Sequence, residues 1–328
     1  MASRSPPRNA PVAESPFAVE AAPLSRAKFT DPQVTADGSP RAKVGLRQLD
    51  TLWFATGTLC NLACANCYIE SSPTNDALIY MNAVHVARFL DEIADTGVRE
   101  IGFTGGEPFM NPQIIAMLED ALSRGHEVLV LTNAMKPMRR YEADLLRLRE
   151  TFGDKLILRV SIDHHTQAVH EAERGPNSWE PMLEGLRWLS ANGFALAAAG
   201  RSMAGETEEL ARHCYGLLFA EHDIAVDTSD RARLVLFPEM DAGADVPEIS
   251  EACWGILGKS PDDQMCASSR MVVHRKGEKL PRVVACTLLP YDPGFDLGAT
   301  VAEADREVSL NHPHCARFCV LGGASCSA

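Results

Sequence analysis

Three cysteines, Cys60, Cys64 and Cys67, lie close together in the chain with the spacing C-x3-C-x2-C. Thiolates on one short loop can share a single metal centre. A structural zinc site takes four protein ligands, whereas a catalytic zinc site keeps one coordination position open. A [4Fe–4S] cluster is normally held by four thiolates. Because this loop offers three ligands and no obvious fourth, the spacing predicts either a zinc site or a cluster with one iron free to bind another molecule.

The same spacing, directly after an apolar segment typical of a buried strand, resembles that of the radical S-adenosylmethionine (SAM) enzymes. In that family three such cysteines hold a [4Fe–4S] cluster, and the open iron binds the amino and carboxylate groups of SAM. An electron from the cluster cleaves SAM to a 5′-deoxyadenosyl radical, which takes a hydrogen atom from the substrate. The resemblance therefore implies SAM and a [4Fe–4S] cluster as cofactors, with Cys60, Cys64 and Cys67 as cluster ligands.

A second motif, Gly105-Gly106-Glu107-Pro108, follows the next predicted strand. Glycines at a strand end expose backbone N–H and C=O groups to a ligand, because no Cβ blocks its approach. A tight turn between a strand and a helix would use the same residues. In radical SAM enzymes the matching motif holds the amino group of SAM, and the resemblance carries that role to Gly105, Gly106 and Glu107.

Polar residues also end two later predicted strands. Ser161 and Asp163 alternate with apolar residues, so both point to one face, and the resemblance implies that they contact the ribose and carboxylate of SAM.

Arg201 is predicted either to pair with the SAM carboxylate, which a guanidinium matches in shape, or to form a structural ion pair. His164 stands where the family has a small residue, and for His164 and His165 a solvated or packed role is favoured over catalysis.

A second group of cysteines lies near the C-terminus, at Cys266, Cys286, Cys315, Cys319 and Cys326. Two of them bracket a predicted hairpin and the others follow a predicted short helix. This pattern resembles the Twitch form of the SPASM-type extensions of radical SAM enzymes, which binds one auxiliary [4Fe–4S] cluster. The resemblance implies Cys266, Cys286, Cys315 and Cys319 as its ligands, with Cys326 as the alternate. A zinc knuckle is the competing interpretation.

The segments between these motifs alternate between strand-like and helix-like patterns. Continuous apolar strands in such a series are typical of a parallel sheet covered on both faces. Six units are too few to close an eight-stranded barrel, so we predict an α/β fold with a partial (β/α)6 barrel and a small cysteine-rich α+β extension. The predicted domains are a disordered leader over residues 1–46, the barrel core over 47–242 and the extension over 243–328. The six strands are predicted at residues 50–56, 100–104, 127–132, 156–162, 194–200 and 233–237. One of the predicted helices covers residues 138–151, and a short one in the extension lies near residues 301–308.

Composition limits the possible settings of the protein. The net charge of −13 argues against a large nucleic-acid surface, since phosphate binding needs clustered Lys and Arg. No apolar run reaches the roughly 18 residues of a membrane span, and the start of the chain has no signal-peptide pattern. Ten cysteines in such a chain indicate reduced, metal-binding thiols and a cytoplasmic location. Of the ten, Cys214 and Cys253 stand apart and are predicted to be core residues.

The motifs together predict a radical SAM enzyme that abstracts hydrogen from a peptide or a small molecule. An oxidative outcome is favoured, with the auxiliary cluster accepting an electron from a substrate radical or binding the substrate. A molybdopterin-type cyclisation is the least favoured reaction. The resemblance also implies an electron donor such as flavodoxin or ferredoxin. The alternative hypothesis is a non-catalytic zinc or iron–sulfur module, which would leave the Gly105–Glu107 motif and the open ligand position unexplained.

Overall fold

A single nine-stranded sheet runs through the protein in a computed structural model that describes residues 15–18 and 20–324. Its strand order is β10-β9-β8-β2-β3-β4-β5-β6-β7, and a separate two-stranded ribbon joins β1 to β11. The strands are β1 (Lys43–Val44), β2 (Thr51–Ala55), β3 (Glu100–Thr104), β4 (Glu127–Thr132), β5 (Leu156–Ser161), β6 (Ala195–Arg201), β7 (Leu234–Phe237), β8 (Ser269–Val273), β9 (Arg282–Val284), β10 (Asp296–Gly298) and β11 (Val308–Ser309).

Strands β2 to β7 are parallel neighbours in chain order, as in a partial (β/α)6 barrel. The predicted fold class is confirmed. Because all six strands point the same way, their carboxyl ends meet at one edge of the sheet, where parallel α/β folds place their sites. The connecting helices are α1 (Ala83–Glu92), α2 (Ile114–Ser123), α3 (Lys136–Arg139), α4 (Glu142–Phe152), α5 (Gln167–Arg174), α6 (Trp179–Ala191) and α7 (Glu208–Glu221), and α8 (Cys253–Leu257) follows β7.

Local sequence signals explain most element boundaries. Asn82 caps α1 by accepting a hydrogen bond from the backbone N–H of His85 at 2.8 Å, as expected of an Asn before a helix. Thr207 caps α7 in the same way. One helix predicted over residues 138–151 is divided into α3 and α4. The short helix α5 was not predicted, because its sequence has no strong apolar pattern.

The hydrophobic core lies between the sheet and the helices that cover it. Phe54 on β2 stacks on Phe103 of β3 with ring centroids 5.6 Å apart, and it meets Phe89 of α1 edge-on at 6.2 Å. All three side chains are fully buried. Over the described residues, none of the helices combines the length and hydropathy that a lipid bilayer requires.

The C-terminal strands continue the sheet of the core. β8 runs parallel to β2, and β9 pairs antiparallel with β8 through Met271 and Val284. The predicted hairpin is therefore present, but its residues extend the barrel sheet instead of forming a sheet of their own. The reason is physical: β2 has a free edge on the side away from β3, and the buried residues of β8 cover that edge. A short helix predicted near residues 301–308 is a turn followed by β11.

The prediction of a disordered leader over residues 1–46 is wrong for the part that the structure describes. Arg41 is buried and donates to Glu248 at 2.5 Å, Lys28 pairs with Asp245 at 2.8 Å, and Val44 pairs with Val308. These partners lie some two hundred residues away, so no local periodicity could indicate the packing. Residues 1–14 lie outside the described residues.

Candidate active site

The cysteine loop follows β2 at the carboxyl edge of the sheet and is held by its own backbone. The N–H of Thr58 donates to the carbonyl of Leu78, and the N–H of Cys60 donates to the carbonyl of Ser72, both at 3.0 Å. Two further N–H groups point at thiol sulfurs, Leu62 at Cys60 Sγ (3.4 Å) and Ser71 at Cys67 Sγ (3.3 Å). Hydrogen bonds to the sulfurs are one means by which proteins tune iron–sulfur clusters.

Burial keeps the thiols of Cys60 and Cys64 protonated when no metal is present. Burial, followed by the charge of Glu107, raises the pKa of Cys60 to about 12, and burial likewise raises the pKa of Cys64. The neighbouring Cys67 also raises the pKa values of both Cys60 and Cys64, so these two thiols ionise more readily beside a positive centre. The donor set therefore suits a cationic group that would take up the thiolate charge.

The separation of the sulfurs distinguishes two kinds of centre. Thiolates on one tetrahedral zinc ion, with bonds of about 2.3 Å, lie roughly 3.8 Å apart. Within the described part of the chain, no three cysteine sulfurs lie within 4.8 Å of one another. In a [4Fe–4S] cluster each cysteine binds a different iron, so its thiolates stand farther apart. The loop fits a cluster better than a single zinc ion.

Gly105 and Gly106 allow the end of β3 to lie directly against the cysteine loop. The N–H of Gly106 donates to the carbonyl of Gly57 at 2.8 Å. A Cβ on Gly106 would stand 2.3 Å from the carbonyl oxygen of Leu59, and Gly105 has φ +143°, which other residues rarely adopt. The two glycines thus fix the loop beside the strand end and leave backbone facing the cavity.

Glu107 lies behind this backbone and does not line the cavity. Its buried carboxylate accepts hydrogen bonds from Thr132 Oγ1 at 2.9 Å and from the N–H groups of Asn133 and Phe109 at 2.8 and 3.1 Å. Burial outweighs these bonds and raises the pKa of Glu107 to about 7. In this structure Glu107 joins the ends of β3 and β4, so its predicted contact with SAM stays a prediction.

One cavity brings most of the predicted residues together. Ser161 and Asp163 from the end of β5 face it, as does Arg174 at the end of α5. Arg174 Nε donates to Asp163 Oδ2 at 2.6 Å. Burial alone would raise the pKa of Asp163, but Arg174 and Arg201 outweigh it and hold the pKa below its usual value. Of the predicted residues, the cavity is lined by Cys60, Cys64, Cys67, Gly105, Gly106, Ser161, Asp163 and Arg201.

Arg174 is a cavity residue to which the sequence assigned no role. Burial lowers its pKa, but Asp163 and the Cys64 thiol outweigh burial and raise the pKa above that of an ordinary guanidinium. The group is therefore a permanent positive charge beside the cysteine loop. The only signal in the sequence was an Arg-Gly pair eleven residues beyond Asp163, at the end of a helix without a clear pattern.

Arg201 forms the structural ion pair that was one of its two predicted roles. Its guanidinium meets Glu173 at 2.9 Å and also contacts Glu239. Glu173 accepts from the N–H of Asn66 at 2.8 Å, which ties the network to the cysteine loop. The ring of Phe17, from the N-terminal segment, stacks against the same guanidinium with 4.5 Å between Arg201 Cζ and the ring centroid.

Comparison with known proteins identifies this arrangement. The sequence model of the radical SAM superfamily matches residues 55–211, which include the cysteine loop and strands β3 to β6. Residues 55–211 therefore form a radical SAM domain. SAM and a [4Fe–4S] cluster are the cofactors of that superfamily, as the cysteine spacing predicted.

Two curated relatives are similar to this radical SAM protein over part of their length. One is the antilisterial bacteriocin subtilosin biosynthesis protein AlbA of Bacillus subtilis (strain 168), 33% identical over 43% of this chain and 30% of AlbA. The other is the mycofactocin maturase MftC of Mycobacterium tuberculosis (strain CDC 1551 / Oshkosh), 27% identical over 42% of this chain and 33% of MftC. The chain thus spans about a third of the length of these relatives.

Solved structures share the fold of this radical SAM protein. Streptococcus suis SuiB bound to precursor peptide SuiA superimposes with a TM-score of 0.56 at 13% identity, covering 78% of this chain and 63% of SuiB. Native anSMEcpe with bound AdoMet gives a TM-score of 0.53 at 15% identity, covering 77% of this chain and 79% of that one. At these identities the likeness concerns the fold alone.

Three of the C-terminal cysteines also lie close together in the structure. Burial raises the pKa of Cys266 to about 11, and burial together with the nearby Cys286 and Cys266 raises the pKa of Cys315. These three thiols are therefore neighbours, although they come from the segments before β8, after β9 and after β11. Cys319 lies in the same π-helical turn as Cys315, Cys315–Leu321. The alternate ligand Cys326 lies outside the described residues.

Proposed function

We propose that this protein cleaves SAM reductively and uses the resulting radical to abstract a hydrogen atom from a substrate. The observation that carries the proposal is the single cavity lined by Cys60, Cys64, Cys67, the Gly105-Gly106 backbone and the Asp163–Arg174 pair. A bound cluster would supply the electron for reductive cleavage of SAM to methionine and a 5′-deoxyadenosyl radical. The residues of this chain would hold and orient both cofactors.

The cysteine loop would hold three irons and leave the fourth for SAM. Its N–H groups at Leu62 and Ser71 point at the sulfurs of Cys60 and Cys67, so they stabilise negative charge on the bound thiolates. The close approach of Gly106 to the loop fixes the distance between the cluster site and the end of β3. Backbone carbonyls at Gly105 and Gly106 are suited to accept hydrogen bonds from the SAM ammonium group.

The ends of β5 and α5 would hold the rest of SAM. Ser161 offers a hydroxyl, and ionised Asp163 offers acceptors for a ribose diol. Arg174 carries a permanent positive charge on the cavity wall, so we assign it, in preference to Arg201, as the partner of the SAM carboxylate. Arg201 already meets Glu173 and Glu239, and its role is to hold the wall in place.

We also propose an auxiliary [4Fe–4S] cluster at Cys266, Cys286, Cys315 and Cys319. What supports it is the mutual effect of the first three thiols on their pKa values and the position of Cys319 one turn beyond Cys315. The cluster would accept an electron from a substrate radical, which makes the outcome oxidative. If Cys286→Ala and Cys319→Ala variants still formed product at the wild-type rate, this role would be wrong.

The substrate class that we propose is a peptide or a small molecule. AlbA and MftC are named as a bacteriocin biosynthesis protein and a maturase, and SuiB was solved with a precursor peptide. A flavodoxin or ferredoxin would supply the electron. Within the described part of the chain, seven cysteines are free thiols, which suits a reducing cytoplasm: Cys60, Cys64, Cys67, Cys214, Cys253, Cys266 and Cys315.

Anaerobic reconstitution tests the proposal. The wild-type chain should bind about eight irons, four for each cluster, and release 5′-deoxyadenosine from SAM when dithionite is added. Cys60→Ala, Cys64→Ala and Cys67→Ala should abolish that release and keep about four irons. Cys214→Ala, which alters a cysteine on α7 away from both groups, is the matched control and should behave as wild type.

The alternative is a binding module without catalysis. It predicts tight zinc binding at the Cys60 loop, no iron-dependent chromophore after reconstitution and no 5′-deoxyadenosine. That combination would overturn the proposed function.

A further inference from the structure

We propose that His164, His165 and Glu206 form a binding site for a divalent transition-metal ion, separate from both cysteine groups. His165 Nε2 lies 2.8 Å from Glu206 Oε1, and His164 Nε2 lies 3.9 Å from Glu206 Oε2. One donor atom from each residue falls within 4.8 Å of the other two. Within the described ranges, 15–18 and 20–324, no other set of three or more His, Cys, Asp or Glu side chains meets that criterion.

The backbone after β5 makes this convergence possible. Side chains of successive residues in a strand point to opposite faces. The chain bends at His165 and Thr166, however, and the two imidazole rings come to lie with centroids 4.0 Å apart. Glu206 reaches them from the loop between β6 and α7, next to the N-terminal cap of that helix. An ion at this point would join two loops at the carboxyl edge of the sheet.

The distances suit a tetrahedral ion. Zinc bonds to imidazole nitrogen and carboxylate oxygen are about 2.0–2.1 Å long, which separates neighbouring ligand atoms by roughly 3.3–3.4 Å. The N···O separations are 2.8 Å from His165 to Oε1 and 3.9 Å from His164 to Oε2 of Glu206, on either side of that value. Because they involve different oxygens, the side chains would rotate so that one oxygen and both nitrogens share the ion.

One oxygen of Glu206 also lacks a partner. Oε2 is buried and accepts no hydrogen bond, although a buried carboxylate oxygen normally has one. The side chain as a whole is 13% exposed. A bound cation would satisfy this oxygen and would offset the burial of the carboxylate.

His164 has a suitable outer partner. Its Nδ1 lies 2.8 Å from Thr166 Oγ1, and metal-binding histidines commonly donate their second ring N–H to such an acceptor. The backbone N–H of Thr166 donates to the same Nδ1 at 3.1 Å, so Nε2 carries the proton in the metal-free chain. Metal binding at Nε2 would release that proton to solvent, and protonation of Nδ1 would exchange the contact with the Thr166 N–H for a hydrogen bond from Nδ1–H to Thr166 Oγ1.

With three protein ligands the ion keeps a position for water or for a group of another molecule, as catalytic zinc sites do. His164 directly follows Asp163, whose carboxylate lines the cavity. The ion would therefore fix the segment that carries Asp163. This inference does not depend on the proposed function, since the chain could bind zinc here whether or not it cleaves SAM.

The test uses the reconstituted iron–sulfur protein, loaded with Zn²⁺ and desalted. We expect the wild type to retain one zinc ion whose X-ray absorption spectrum shows nitrogen and oxygen neighbours at about 2.0–2.1 Å and no sulfur near 2.3 Å. His165→Ala and Glu206→Gln should lose this zinc while their iron content stays unchanged. His213→Ala removes an exposed histidine on α7 and should retain the ion.

Three results would overturn the inference. They are a wild-type protein that retains no zinc, zinc bound only through sulfur, or variants that retain the same nitrogen- and oxygen-bound zinc as the wild type. If a variant fails to fold, the absorption spectrum of the wild type decides by itself, because sulfur ligation would assign the ion to the cysteines.

Discussion

At the scale of single residues, the charge balance of the cavity depends on Arg174. Its guanidinium neutralises Asp163 at 2.6 Å and lies near the thiols of Cys64 and Cys60. Both members of the ion pair are largely buried, with 13% and 11% of the side chains exposed. Removing one partner therefore leaves an isolated charge inside the protein.

Arg174→Gln should lower the free energy of unfolding by about 3–5 kcal/mol, the usual cost of a buried charge that has lost its partner. Anaerobic urea denaturation measures the change. The double variant Arg174→Gln/Asp163→Asn should recover much of it, because no buried charge remains. Arg147→Gln breaks an exposed pair with Glu119 and should cost under about 1 kcal/mol. Equal losses in Arg174→Gln and Arg147→Gln would contradict this prediction.

A second prediction at this scale concerns Glu107 and pH. Its pKa is about 7 in the folded chain, against 4.5 for the ordinary carboxyl. The folded state therefore binds this proton more tightly, and the stability that it contributes is full below about pH 4.5 and is lost as pH rises through about 7. Glu107→Gln removes the titration. The melting temperature of the wild type relative to Glu107→Gln should fall between pH 5.5 and 8.

The matched control for the pH series is Glu119→Gln. Glu119 lies on the surface beside Arg147, which lowers the pKa of its carboxyl. It stays ionised across the whole interval, so the gap between wild type and Glu119→Gln should be constant. A constant gap for Glu107→Gln as well would show that its carboxyl does not titrate there.

At the scale of elements, the contact between the end of β3 and the cysteine loop sets the geometry of the site. The two segments touch through backbone atoms, with Glu107 N 3.2 Å from the carbonyl oxygen of Leu59. A side chain at Gly106 has no room, because its Cβ would stand 2.3 Å from that same oxygen. The loop would have to move away from the strand.

Gly106→Ala should therefore displace the loop and lower the iron bound after reconstitution from about eight to about four per chain, since only the auxiliary site stays intact. Release of 5′-deoxyadenosine should be lost. Gly45→Ala is the control, because a Cβ there meets nothing within 4 Å. Iron analysis and electron paramagnetic resonance of both variants provide the check, and full iron in Gly106→Ala would refute the spacing argument.

At the scale of the whole molecule, the barrel and the C-terminal region share one sheet. β8 covers the edge of β2 with four paired residues, from Thr51 with Ser269 to Phe54 with Val272. Arg270 of β8 is fully buried and donates to the carbonyls of Cys266 and Ala304, so it links the sheet to the cysteine-rich segment. The C-terminal residues therefore serve the barrel as well as the second cysteine group.

A chain ending at residue 242 should consequently be insoluble or aggregate when expressed alone. It would expose the edge of β2, whose residues Leu52, Trp53 and Phe54 are fully buried in the complete protein, and exposed apolar strand edges promote association. Size-exclusion chromatography and circular dichroism of the truncated chain give the answer. A monomeric, folded product would show that the barrel is an independent domain.

The sequence by itself determined the chemistry and the parallel strands of this protein. The spacing of three cysteines, the glycine pair and the apolar runs are local signals, because metal ligation and strand formation depend on residues a few positions apart. For that reason the bounds of β3 and β4 agree with the prediction at both ends. The family assignment followed from the same residues.

Only the tertiary structure decided which charges meet. Arg174 pairs with Asp163, and Arg201 pairs with Glu173 and Glu239. Residues 15–18 and 20–46 pack against segments that are distant in sequence. An ion pair needs only two side chains at close range, and no periodic pattern records which two segments the sheet brings together. The same reason explains why His164, His165 and Glu206 emerged as a cluster only in three dimensions.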